Sequence, residues 1–147
     1  MTSVLDGIRV LDLSWGIAGP VAGMLLSDNG ADVVKIEPPG GDPFRSTSGY
    51  AAWLRGRRSA ELDLTDEADR ATFLALARSA DVVLESFSPG TTDRLGIGAD
   101  TLLAENPRLA ALSSAVRSNR YRRLLGELPG YDVSHTGELN RIAVPGK

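Results

Sequence analysis

The chain has 147 residues, 42% of them hydrophobic and 24% charged, which suits one globular domain able to bury a core and excludes a disordered tail. A formal charge of -3 gives no general attraction to polyanions, so no nucleic-acid partner is expected. Cysteine is absent, which excludes disulfides and thiolate chemistry, and His135 is the only histidine, so neither a metal site nor a serine-histidine triad is expected.

The segment "IRVLDL" (8 to 13) reads as a first strand. "GPVAGMLLSDNGA" follows as a helix, with Val21, Met24 and Leu25 at helical spacing, Pro20 in the first turn and Gly30 as a stop. "DVVKIE" (32 to 37) is a second strand, and strand, helix and strand with short joints form a parallel crossover unit. "PPGGDPFRSTSGY" is rich in Pro, Gly and Ser and reads as an irregular surface excursion. "SAELDL" (59 to 64) is a third strand. From Thr65 a helix begins, with Asp66 and Glu67 in its first turn and Phe73, Leu76, Ala77 and Ala80 as one apolar stripe. "DVVLESF" (81 to 87) is the fourth strand, followed by a short helix over 92 to 95, another at "ADTLLAEN", and "RLAALSSA" (108 to 115) as a fifth strand.

Beyond Ala115 the pattern dissolves, so the expected organisation is a parallel α/β domain over 1 to 115 and a divergent tail over 116 to 147. Handedness rules favour an α/β doubly wound parallel sheet with flanking helices and ligands at the carboxyl ends of its strands. No apolar run approaches the roughly 18 residues of a membrane span, and no basic segment followed by an apolar one opens the chain. No membrane partner is expected, and the expected location is cytoplasmic.

The chemistry concentrates at strand ends. In "DVVLESFSPGTTDRLGIG" (81 to 98), Ser86, Ser88, Gly90, Thr91 and Thr92 surround the end of the fourth strand, where a helix start offers free amides. Arg94 adds a forked donor suited to phosphate. The plainer alternative is that Thr91 or Thr92 caps the helix and Arg94 faces solvent. The turn "SWGIAGPVAG" carries glycines at 16, 19 and 23, which miss the Gly-x-Gly-x-x-Gly spacing of dinucleotide sites, although Glu37 stands where a ribose-binding acid would be. Arg55, Arg57 and Arg58 either face the same sheet edge, toward a second phosphate, or face solvent. The basic run with Arg117, Arg120, Arg122 and Arg123 reads as a solvated face.

The segment "LDGIRVLDLSWGIAGPVAGMLLSDNGADVVKIEPPGGDPFR", then "RRSAELDLT", "ADVVLESFSPGTTDRLGIG" and "NPRLAALS", resembles the opening of family III CoA-transferases over residues 4 to 114. The resemblance implies a Rossmann-like domain, truncated relative to the full family fold, that holds coenzyme A. It implies Ile17 and Ala18 near the thioester, Leu62 and Thr65 on the adenine and phosphate side, Ser86, Phe87 and Thr91 on the nucleotide and pantetheine arm, and Arg94 on a phosphate. It also implies acyl-CoA and a carboxylic acid acceptor as reactants, transfer through an aspartyl-CoA intermediate, and interlocked homodimers. The family's Gly-Asp nucleophile segment is expected beyond this chain, no catalytic residue is identified in it, and a CoA-binding portion is the expected role. In "LPGYD", Tyr131 stands where the related alpha-methylacyl-CoA racemases carry histidine, which favours the transferase branch. A racemase fragment and a non-catalytic CoA- or nucleotide-binding module are the alternatives.

Overall fold

The computed structural model describes residues 3 to 88 and 90 to 109. Four parallel strands are joined by helices: β1 (Arg9–Asp12), α1 (Ala18–Asp28), β2 (Asp32–Glu37), α2 (Tyr50–Trp53), β3 (Arg58–Glu61), α3 (Glu67–Ala77), β4 (Val82–Leu84), α4 (Thr91–Arg94) and α5 (Ala99–Glu105). The sheet order is β3-β2-β1-β4, with Asp12 beside both Lys35 and Leu84 in register. The chain therefore builds outward from β1 in one direction, then crosses back to β4. That reversal leaves a crevice beyond the carboxyl ends of β1 and β4, where open parallel sheets receive ligands.

Period-two alternation gives the two faces of the sheet different chemistry. Leu11, Leu13 and Ile36 point to one side and pack with Phe73, Ala77, Ala80, Ile97 and Leu102 into the main apolar core. Phe73 and Ile97 are fully buried there. On the other side Val10, Ala31 and Val33 make a small apolar patch, and toward the strand ends the same face becomes polar with Asp12, Ser14, Lys35 and Glu37, all buried. Buried charges persist only when paired. Asp12 accepts from Arg57, Lys35 lies 3.0 Å from Asp42, and Glu37 accepts from Arg45.

This polar layer explains how α1 packs. Of the expected stripe, Val21 and Met24 are half-buried and Leu25 is 54% exposed, while the residues the helix fully buries are Gly19, Pro20 and Gly23. A Cβ at Gly23 would stand 2.6 Å from Arg57 Nη1 and 2.8 Å from Asp12 Oδ2, and one at Gly19 would overlap Ser14 Cβ. The helix thus rides on its smallest residues because an ion pair occupies the space beneath. Apolar periodicity cannot register a helix that packs on glycine.

Other boundaries shift for local reasons. Asp66, rather than Thr65, caps α3, its carboxylate accepting from the amides of Ala68 and Asp69. Phe73 and Ala77 are buried as expected, while Leu76 is 38% exposed. β3 opens at Arg58, one residue before the expected strand, and its ladder runs on through the Leu62 amide to Glu37 O at 2.9 Å. The expected fourth strand over 81 to 87 is cut to Val82–Leu84, because Ser86 turns to bond the Trp15 backbone. Within the segment read as irregular, α2 forms and buries Tyr50. Of the expected fifth strand, Arg108 and Leu109 lie in a helical turn, and the rest lies outside the described residues, as does the boundary at 115.

The three arginines before β3 separate by burial. Arg57, with its side chain 1% exposed, donates to Asp12 and to the carbonyls of Pro20 and Trp53, whereas Arg55 pairs with Asp28 and Arg58 with Asp32 at the surface. Arg57→Met is expected to cost about 3–5 kcal/mol, because it strands a buried carboxylate. Arg55→Met and Arg58→Met should each cost less than about 1 kcal/mol, as exposed pairs do. Urea unfolding of the three variants measures the difference; similar losses would show that the Asp12 pair carries no special weight.

Candidate functional site

A cavity of about 420 Å³ opens at the carboxyl ends of the strands, a size in the usual range for small-molecule sites. Leu13 and Trp15 line it from beyond β1, Ile36 and Glu37 from the end of β2 with Pro38 just after it, Leu62 to Thr65 from beyond β3, and Ser86 to Ser88 from beyond β4. Thr91 and Leu95 complete the wall. Its interior is apolar and its rim carries hydroxyls, a surface that accepts a flat heterocycle with polar substituents.

The rim is ordered by short bonds across the β1 to β4 seam. Ser86 Oγ accepts from the Trp15 amide at 2.8 Å and donates to the Trp15 carbonyl at 3.2 Å. The Trp15 ring meets Phe87 edge-on, with centroids 5.4 Å apart and planes at 82°, a favourable arrangement for two aromatic rings. On the β3 side, the Thr65 hydroxyl and amide both donate to Asp63 at 2.6 and 2.9 Å. Those bonds, the hydroxyl's first, hold the Asp63 carboxyl below the usual aspartate range. Asp63 is therefore an occupied acceptor rather than a proton donor near neutral pH.

Glu37 is the second carboxylate on the wall. Its side chain is 3% exposed and accepts from Arg45, and from the Tyr50 hydroxyl at 3.3 Å. Burial, followed by the charges of Asp42 and Glu37, pushes the Tyr50 phenol well above its usual value of 10, so it remains a donor. Glu37 in turn raises the Arg45 guanidinium. With its oxygens so engaged, Glu37 is held as a structural ion rather than left open for a ribose.

Five of the eight expected site residues, Leu62, Thr65, Ser86, Phe87 and Thr91, line this cavity together. Arg94 does not line it. Its Nη2 donates to Thr91 Oγ1 at 2.8 Å, so it touches a residue that does. Ile17 and Ala18 are exposed at the start of α1 and do not line the cavity either. The short helix begins at Thr91, one residue before the expected start, but α4 is a single turn of 4 residues entered from Gly90 at φ 79°, too short for an appreciable dipole. Arg55, Arg57 and Arg58 all pair with aspartates away from the cavity, so neither a second phosphate contact nor, for Arg57, a solvent-facing position is found. Trp15, Leu13, Leu64 and Leu95 were not singled out by sequence reasoning. An aromatic directly after a strand's last polar residue, beside a glycine, was the available signal for Trp15.

The cavity combines apolar lining residues with hydroxyl-bearing ones. Its two acidic residues are internally satisfied, and the cation at Arg94 stands at one side, where an anionic group would escape them. Gly19 and Gly23, by contrast, serve helix packing over Ser14 and Asp12, not the approach of a pyrophosphate.

Comparison with known proteins identifies the family. Residues 5–133 match the family model of CoA-transferase family III. The chain is 41% identical to a succinyl-CoA:mesaconate CoA-transferase of Haloarcula hispanica over 96% of its length, which is 35% of that protein. It is 44% identical to an acetyl-CoA:oxalate CoA-transferase of Acetobacter aceti, covering 75% of this chain and 31% of that one. A crystal structure of Rv3272 from Mycobacterium tuberculosis superposes with a TM-score of 0.69 at 48% identity, over 72% of this chain and 30% of that chain. The chain thus spans about a third of the length of these relatives. With its parallel α/β sheet and a family match over most of its residues, the chain belongs to CoA-transferase family III.

Proposed function

We propose that the cavity receives the nucleotide end of coenzyme A and that this chain is the CoA-binding portion of a CoA-transferase. The observation that carries the reading is the convergence of Leu62, Thr65, Ser86, Phe87 and Thr91 on one pocket at the reversal of strand order. The adenine lies against Leu13, Ile36, Leu62 and Phe87, where burying flat apolar surface stabilises binding at roughly 25 cal/mol per Å². The hydroxyls of Ser86, Ser88 and Thr91 meet the ribose and phosphates, and Arg94 turns from Thr91 to pair with a phosphate.

In this reading the reactants are an acyl-CoA and a carboxylic acid. The two relatives named above are designated for different acids, mesaconate and oxalate, which supports a shared carrier site in the portion they have in common with this chain. The carboxylate that would pass CoA between acids through an aspartyl-CoA intermediate has no assigned counterpart among the described residues. In this reading the relatives' transfer chemistry, pairing with a second chain included, belongs to the part of their length that this chain does not span, and carrier binding to this segment.

Calorimetric titration of the 147-residue chain with CoA should show one site. Arg94→Ala should weaken it by about 1.5–3 kcal/mol, the range for hydrogen bonds to charged groups. Unchanged affinity would place the phosphate elsewhere. Titration with NAD should give no comparable site, since Glu37 is engaged by Arg45 and Tyr50 and the first-turn glycines are taken up in packing. Equal affinity for NAD would favour a dinucleotide site instead.

A further inference from the structure

The buried Lys35 lines no part of the cavity, yet its ammonium donates to the Ser14 carbonyl, whose peptide bond carries the Trp15 amide. Lys35 reaches there because it stands beside Asp12 in register and Asp42 holds it at 3.0 Å from the loop that follows β2. The same peptide unit is gripped from the opposite side, where Ser86 Oγ accepts from the Trp15 amide. Ser14 itself is fixed by Asp12, whose Oδ1 accepts from its amide at 2.9 Å and from its hydroxyl. The consequence is a peptide plane with no freedom to rotate, and a Trp15 ring set edge-on to Phe87 at the mouth of the cavity.

We infer that Lys35 is a positioning residue for ligand binding: acting from β2 through the Ser14–Trp15 peptide, it sets the aromatic wall of the pocket. This rests on the reading that the cavity binds CoA. A lysine kept wholly inside the protein costs several kcal/mol in desolvation, and an aliphatic residue would fill the same volume without that penalty. What the ammonium adds is a donor aimed at one carbonyl. Lys35 and Asp42 act in this as a unit, since the carboxylate both neutralises and orients the amine.

The test uses the whole chain and its two tryptophans. In a Trp53→Phe background Trp15 is the sole emitter, and without any ligand Lys35→Met/Asp42→Asn should shift its emission to longer wavelength as the ring leaves Phe87. Replacing both partners leaves no buried charge unpaired, so the fold is retained, as far-UV circular dichroism checks. CoA affinity should fall about tenfold in the Lys35→Met/Asp42→Asn chain, equivalent to about 1.4 kcal/mol. In a Trp15→Ala background the same pair should change affinity less than about twofold, because coupled residues are non-additive. Equal losses in both backgrounds, or an emission that does not move, overturns the inference. If the unsubstituted chain fails to bind CoA, the reading of the cavity falls, while the ligand-free emission still judges the action of Lys35 on Trp15.

Discussion

The Asp12–Arg57 ion pair is the constraint around which the rest of the structure is arranged. It joins residues 45 positions apart, and Arg57 also donates to the carbonyls of Pro20 in α1 and Trp53 in α2. One guanidinium thereby satisfies the end of β1, the first turn of the crossover helix and the short helix that leads into β3. Burial pulls the Arg57 guanidinium below its ordinary value while Asp12 opposes the shift, and an arginine in such a place stays charged. Because both charges are inaccessible to water, neither can be given up singly.

From that pair follows the division of labour between the faces of the sheet. The α3 side is the larger apolar core, around Phe73 and Ile97. The α1 side gives up apolar area for fixed geometry, with Ser14, Lys35, Asp42 and Glu37 in buried bonds beside Asp12. The cavity lies where the two meet. Its floor of Leu13 and Ile36 belongs to the apolar face, and the peptide that carries Trp15 belongs to the polar one.

The parallel α/β architecture was legible from hydrophobic runs alone, because β1, β2 and β4 hold consecutive branched residues and Asp66 announces α3. The gathering of Ser86, Phe87 and Thr91 near Leu62 and Thr65 followed from strands ending on one edge, aided by resemblance to a known family. What escaped was the polar layer. Arg57 differs from Arg55 and Arg58 only by which side of the chain it leaves, and nothing in "RGRR" reveals that. Gly19 and Gly23 invited comparison with a phosphate-binding turn, whereas their use depends on a side chain 34 or more residues later and on Ser14. Tyr50 sits among Gly, Ser and Thr, so the turn of helix that buries it carries no periodic signal.

The asymmetry of the sheet bears on which substitutions lineages of this fold can accept. A Leu or Ile in the α3 core can be traded for a neighbour in volume and repacked at small cost. Gly23 has no such neighbour, since even one added methyl group would meet Arg57 and Asp12. Drift is therefore channelled to one side of the molecule, and the side that holds the pocket's aromatic wall in place can change only through concerted replacement of several residues.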